Sequence, residues 1–216
     1  MTTKLYYVHD PMCSWCWGFH PQWQALKAAL THKCQNSIVI ENVVGGLAKD
    51  THEPMPESMQ QTIQGYWREV QAQLNTEFNF DFWTQNTPRR STFNACRASL
   101  AITRQCHDVE SKDTAQNAMI DAIQRAYYLR ALNPSDIDVL SFLAGELGFS
   151  RAQFESDMLS TSVQKEFDDQ LELARSLPID GFPSLVLEVK KRFYKIPRDY
   201  HDHRNMLAAI DRLISP

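Results

Sequence analysis

Apolar and polar residues alternate over short runs near the two ends of the chain and recur every three to four residues through its middle. Residues 4–9 (KLYYVH) and 37–44 (SIVIENVV) have the β-branched and aromatic texture of strands. The stretch between them, from Cys13 to about Leu30, reads as a helix, so the chain opens β-α-β. Gly45-Gly46 and the run EPMPE (53–57) punctuate it. Beyond them the spacing stays helical to about residue 177. Met59, Ile63, Trp67, Val70 and Leu74 form one face of a helix starting near Pro56. TEFNFDFW (76–83) is an aromatic loop or cap, and a further helix follows Ser91. Met119, Ile123, Ala126 and Leu129 define the next. Asn133-Pro134 before SDIDVLSFLAGELG predicts a helix with Asn133 as N-cap, Pro134 at its first position and Gly148 past its end. Val163, Phe167, Leu171, Ala174 and Leu177 mark one more. After Pro178 the two-residue period returns. SLVLEV (184–189) and RFYKI (192–196) predict a hairpin joined at Lys190-Lys191, and residues 199–214 a closing helix that carries His201 and His203.

The layout is thus β-α-β, a long helical block, then β-β-α. Deleting the block leaves one small α/β sandwich of helices on a sheet, so the block reads as an insertion. The expected boundaries are 1–52 with 162–216 for a discontinuous α/β domain and 53–161 for the helical domain. The aromatic and methionine residues on the helical faces are expected in the core.

Composition narrows the partners. With 216 residues, 43% of them apolar, the chain can bury a core without disulfide staples. A net charge of −4 gives no general attraction to nucleic acid or acidic membranes. The one basic cluster, Lys190-Lys191-Arg192, reads as a solvated turn. No apolar run approaches the roughly 18 residues of a membrane span, and the N-terminus enters a strand with no apolar leader. The expectation is a cytoplasmic protein. In that reducing compartment five cysteines do not suggest a disulfide scaffold, and the close pair Cys13 and Cys16 gains weight as metal-binding or catalytic.

That pair lies in HDPMCSWCWGFHP, between a strand and a helix. Where a C-x-x-C pair opens a helix, the first sulfur meets free backbone N–H groups and the positive end of the dipole, which stabilise a thiolate. The second lies one turn inside, close enough to bond to the first. On this reading Cys13 is an exposed nucleophile and Cys16 the resolving thiol. The alternative, structural zinc, needs four ligands at recognisable spacing, and no second C-x-x-C or H-x-x-x-H follows. No metal and no cofactor are expected. Cys34, Cys96 and Cys106 are most simply buried or half-buried thiols, and His107 is only adjacent to Cys106.

Strand, C-x-x-C, helix, strand, inserted helices, hairpin and last helix together resemble the thioredoxin fold in its DsbA-type form. DPMCSWCWGF is most similar to the FrnE-like, cytoplasmic branch of that superfamily. Pro21, five residues after Cys16, stands where such proteins kink the active-site helix. Pro183 in GFPSLVLE stands where they place a cis-proline facing the disulfide. The resemblance implies a thiol–disulfide oxidoreductase or isomerase acting on protein thiols and disulfides, with glutathione as a further thiol partner. It implies substrate binding by Ser14, Trp15, Phe182 and Pro183. Two departures stand out. The buried acid that thioredoxins and DsbA carry six positions before the first cysteine is here Tyr7, so its proton-handling role is absent or passes to another group, Asp10 being nearest; His20 is a second candidate modulator. The dipeptide Ser14-Trp15 lacks the histidine of DsbA, which implies a milder oxidant, suited to a reductase or isomerase. Two other functions compete. One is a glutathione-dependent transferase or isomerase of the kappa or hydroxychromene-carboxylate type, whose members generally carry Ser at the first-cysteine position. The other is a non-catalytic, zinc-holding binding module.

Overall fold

The computed structural model describes residues 3–34 and 38–214, without the side chains of residues 33 and 34. In chain order the elements are β1 (Thr3–His9), α1 (Ser14–Cys34), β2 (Ile38–Val44), α2 (Glu57–Leu74), α3 (Phe82–Gln85), α4 (Phe93–Ala101), a 3-10 turn (Ile102–Gln105), α5 (Val109–Tyr128), α6 (Ile137–Glu146), α7 (Arg151–Met158), α8 (Thr161–Ser176), β3 (Ser184–Val189), β4 (Arg192–Ile196) and α9 (His203–Ile214). The expected start of the second strand, Ser37, and the side chain of Cys34 lie outside the described residues. Two units form: Met1–Gly45 with Gln170–Pro216, and Gly46–Asp169.

In the first unit four strands make one sheet in the order β2-β1-β3-β4, with β1 parallel to β2 and antiparallel to β3. β1 is central and covered on both faces, which is why KLYYVH is apolar nearly throughout. Its odd positions Leu5 and Tyr7 join Leu185 and Leu187 of β3 against Phe19, Trp23, Leu26 and Leu30 of α1 and Met206 and Ile210 of α9. Its even positions Tyr6 and Val8 join Val43 and Val186 against Ala174 and Leu177 at the end of α8. The β3–β4 hairpin turns through Lys190 and Lys191, both at positive φ (50° and 65°) and both exposed, as the primed two-residue turn requires. Pro21 lies inside α1.

Two helix starts differ from the sequence expectation for one physical reason: short side chains cap their own backbone. Asn133 Oδ1 accepts the N–H of Ser135, which closes a turn, and α6 begins three residues after Pro134, at Ile137. Asp199 Oδ1 accepts the N–H groups of His201 and Asp202, so the last helix starts at His203 and His201 precedes it.

The second unit is helical and organised around Trp67 of α2. Its ring meets Phe78, Trp83, Tyr127 and Tyr128 at centroid distances of 5.2, 5.0, 5.3 and 5.2 Å. TEFNFDFW is therefore the lid of this cluster, and its end forms the short helix α3. Ile63, Trp67 and Val70 are buried on α2, whereas Met59, expected in the core, is 40% exposed one turn from the start of that helix.

Candidate active site

The end of β1 and the start of α1 build the site. Asp10 is fully buried; its Oδ1 accepts the Met12 N–H at 2.8 Å and its carbonyl accepts the Cys13 N–H at 3.0 Å. This turn delivers Cys13 to the mouth of α1, where its carbonyl accepts the Trp17 N–H at 3.0 Å, and the first turn carries no acidic residue to compete with a thiolate. Cys16 follows one turn inside. Both are free thiols. Cys16 is completely covered, and Cys13, expected to be exposed, is only 8% exposed, with the loop before β3 against it. Its Sγ lies 3.7 Å from the carbonyl oxygen of Phe182. Burial, then a hydrogen bond with Cys13, pushes the Cys16 thiol well above the ordinary thiol range.

The loop Asp180 to Ser184 is the facing wall, and its Phe182–Pro183 peptide bond is cis. Side chains of β4 and of the segment just after it hold it. Arg198 Nη1 donates to the Pro183 carbonyl at 2.6 Å and Nη2 lies 3.4 Å from Asp180, which also pairs with Lys195. The Lys195 ammonium, with Arg198, holds the Asp180 carboxyl below its usual range. Ser184 Oγ donates to the Gly181 carbonyl at 2.7 Å. The Phe182 ring fills the space over Gly45, where a Cβ would come within 2.0 Å of it. Beside the cysteines Tyr200 packs edge-on against Trp15 (5.5 Å) and Phe19 (5.4 Å). Burial raises its hydroxyl above the ordinary phenol range.

Of the residues singled out from sequence, Cys13, Cys16, Ser14, Trp15, Phe182 and Pro183 thus border one place, and Asp10 lies beneath the turn that forms it. His20 sits further along α1, its ring against Trp17 (5.7 Å) and its Nε2 3.4 Å from Gln24 Nε2. Cys96 is buried and Cys106 half-buried, both in the second unit. Among the described residues no group of three or more His, Cys, Asp and Glu side chains could hold a metal ion.

Sequence reasoning did not assign site roles to His9, Arg198 or Tyr200, and it read Tyr7 only as a missing acid. For Tyr7 and His9 a partial signal existed, since the alternation along β1 puts both on one face of the strand, which the fold packs on α1. The His9 ring stacks on Tyr7 at 4.8 Å, is fully buried, and neither of its nitrogens has a hydrogen-bond partner. Burial lowers its pKa to about 3, so the ring is neutral. Arg198 lies fifteen residues after Pro183 and carries no local mark.

A thioredoxin family model matches residues 6–193. The chain belongs to the thioredoxin family. No curated protein matches the sequence. Among solved structures, a proposed protein disulfide isomerase from Nitrosomonas europaea is 23% identical, with a TM-score of 0.83 over 99% of this chain and 98% of that one. The cytosolic disulfide reductase DsbM from Pseudomonas aeruginosa, also solved with GSH, is 22% identical, with a TM-score of 0.74 over 97% and 98%. A 2-hydroxychromene-2-carboxylate isomerase is 12% identical, with a TM-score of 0.59 over 97% and 95%. The thioredoxin fold of this chain is of the DsbA type, with a helical unit between β2 and the end of α8.

Proposed function

We propose that the chain is a thiol–disulfide oxidoreductase of protein substrates, with Cys13 as nucleophile and Cys16 as resolving thiol. One observation carries the reading: two free thiols open α1, the inner one sealed, the outer one against the carbonyl of Phe182. In the reductive direction the Cys13 thiolate attacks one sulfur of a substrate disulfide, and the other leaves as a thiolate that takes a proton from water. Cys16 then attacks Cys13 Sγ. The Cys13–Cys16 bond forms, the Cys13–substrate bond breaks, its electron pair leaves with the substrate sulfur, and the Cys16 proton passes to solvent or to that sulfur. The substrate gains two electrons and the pair loses two; the reverse sequence oxidises.

The loop Phe182-Pro183 offers a substrate chain backbone groups beside Cys13, while the proline ring, lacking an N–H, leaves the loop unable to pair there itself. Ser14 and the Trp15–Tyr200 pair border the same opening. The cytosolic DsbM, solved with GSH, supports a cytoplasmic location and glutathione as the thiol that resets the pair. Among the described residues no helix is long and apolar enough to cross a membrane. The cysteine at position 13 favours thiol exchange over the isomerase chemistry of the hydroxychromene-carboxylate relative.

The test is insulin reduction by dithiothreitol. The wild-type protein accelerates it, and Cys13→Ser drops the rate to that of dithiothreitol alone. Equal rates for the two proteins would refute the reading.

A further inference from the structure

The carbonyls of the loop that faces Cys13 are not alike. That of Gly181 accepts the Ser184 hydroxyl at 2.7 Å, and that of Pro183 accepts Arg198 Nη1 at 2.6 Å. The Phe182 carbonyl between them faces the reactive sulfur, 3.7 Å from Cys13 Sγ. The β3–β4 ladder explains why a side chain and not the backbone reaches Pro183. Its last pair is Leu185 with Ile196. Continued by two residues, the same register would set Arg198 opposite Pro183, but Pro197 intervenes and has no N–H to extend the ladder. The Arg198 guanidinium supplies the missing donor. Through Nη2 it also lies 3.4 Å from the Asp180 carboxylate, which Lys195 holds from β4. One half-buried side chain thus clasps both ends of the turn that carries Phe182. The Pro183 ring fixes φ, so the angle between the Phe182 and Pro183 carbonyls is left to the Pro183 ψ, which the bond to Arg198 restrains.

We infer that Arg198 is a positioning residue that makes the site selective for peptide disulfides. By clasping the loop at Asp180 and Pro183, its guanidinium keeps the Phe182 carbonyl beside Cys13, where that carbonyl accepts a backbone N–H of the chain that bears the substrate cysteine. The inference rests on the Cys13–Cys16 reading and adds to it the class of disulfide that is preferred. Arg198 acts through the backbone of the loop and takes no part in bond exchange. While Cys13 is a thiol, its S–H donates to the Phe182 carbonyl. The attacking thiolate has no proton to donate, so the form of Cys13 that reacts is the form that leaves this acceptor to the substrate. A disulfide with an amide beside its sulfur gains a backbone hydrogen bond there, a factor of about five in rate, and a disulfide without amides gains none.

The test compares two uncharged disulfides. That of N-acetylcysteine methylamide has an amide N–H on either side of its cysteine, and bis(2-hydroxyethyl) disulfide has none. The reduced full chain is mixed with an excess of each and quenched with maleimide, and the fraction holding a Cys13–Cys16 disulfide is read by mass, which gives a second-order rate constant for each reagent. Arg198→Met keeps the apolar stem and removes every donor. The expected result is a ratio of the two rate constants, peptide over hydroxyethyl, about five-fold below that of the wild-type protein. Arg198→Lys, which keeps a charged donor, recovers part of the ratio, and Asp180→Ala, which frees one end of the clasp, lowers it in the same sense as Arg198→Met. A wild-type ratio in Arg198→Met, whether both rate constants stay or fall together, overturns the inference and leaves the redox pair standing. If Arg198→Met does not fold, a wild-type ratio in Asp180→Ala overturns it equally. A wild-type protein that forms no Cys13–Cys16 disulfide with either reagent overturns the inference and the redox-pair reading together.

Discussion

His9 shows how much one side chain can couple to pH. Buried without a hydrogen-bond partner for either ring nitrogen, it is neutral in the fold, its pKa lowered to about 3 by burial and, secondarily, by Lys27. In the unfolded chain it takes a proton near its ordinary value of ~6.5. A base whose pKa falls on folding contributes fully above the unfolded value and costs stability as pH drops below it, until the folded state also protonates near 3. Between pH 7 and 5 the predicted loss is about 2 kcal/mol. Urea unfolding of His9→Phe, which preserves the stack on Tyr7, should lack that loss over the same interval, above the range where most carboxylates titrate. An identical pH slope in the variant would assign the loss to another group. The two cysteines make a related point: both are buried, but it is Cys13 whose sulfur lies against a loop carbonyl, that of Phe182.

At the scale of elements, the site depends on where β2 ends. The Gly45 N–H donates to the His9 carbonyl at 2.7 Å, joining the ends of β1 and β2, and its missing side chain leaves room for the Phe182 ring. This glycine is needed for close approach, its φ lying outside the left-handed region. Gly45→Ala should therefore push Phe182 and the loop that faces Cys13, costing about 1–3 kcal/mol and slowing insulin reduction although neither cysteine is touched. Urea unfolding and the insulin assay read both effects; unchanged values in both would mean that the ring has another place to go. The Arg198 contact with the Pro183 carbonyl holds the same loop from the side of β4, so one short wall is fixed by residues from two distant parts of the sequence.

Each of the two units has a core of its own. That of the first is a sheet covered by α1 and α9 on one face and by the end of α8 on the other. That of the second centres on Trp67, fully buried among Phe78, Phe82, Trp83, Tyr127 and Tyr128. Filling that hole without the indole is hard, since its neighbours are rigid rings. Trp67→Ala should destabilise the helical unit by about 3–5 kcal/mol, measured as a shift of its urea transition. A loss under about 1 kcal/mol would show that the rings collapse into the space.

The sequence by itself determined the order of the strands and of the longer helices, the hairpin at Lys190-Lys191 and the position of the C-x-x-C pair, because each rests on local physics: a period of two or of 3.6, a turn, a helix mouth; the short helices α3 and α7 carry too few turns for a period to show. The same locality explains its errors. Asn133 and Asp199 carry the local marks of helices that their own side-chain bonds to the backbone exclude, and Met59 follows the helical period without being covered. What only the tertiary structure decided is which distant residues meet Cys13 and Cys16. Phe182 approaches Cys13 across 169 positions, Arg198 reaches back to hold the Pro183 carbonyl of the same loop, and Tyr200 packs on Trp15 between the two cysteines. Those meetings are set by sheet order and by which face of β1 packs on α1, and chain periodicity carries no record of either.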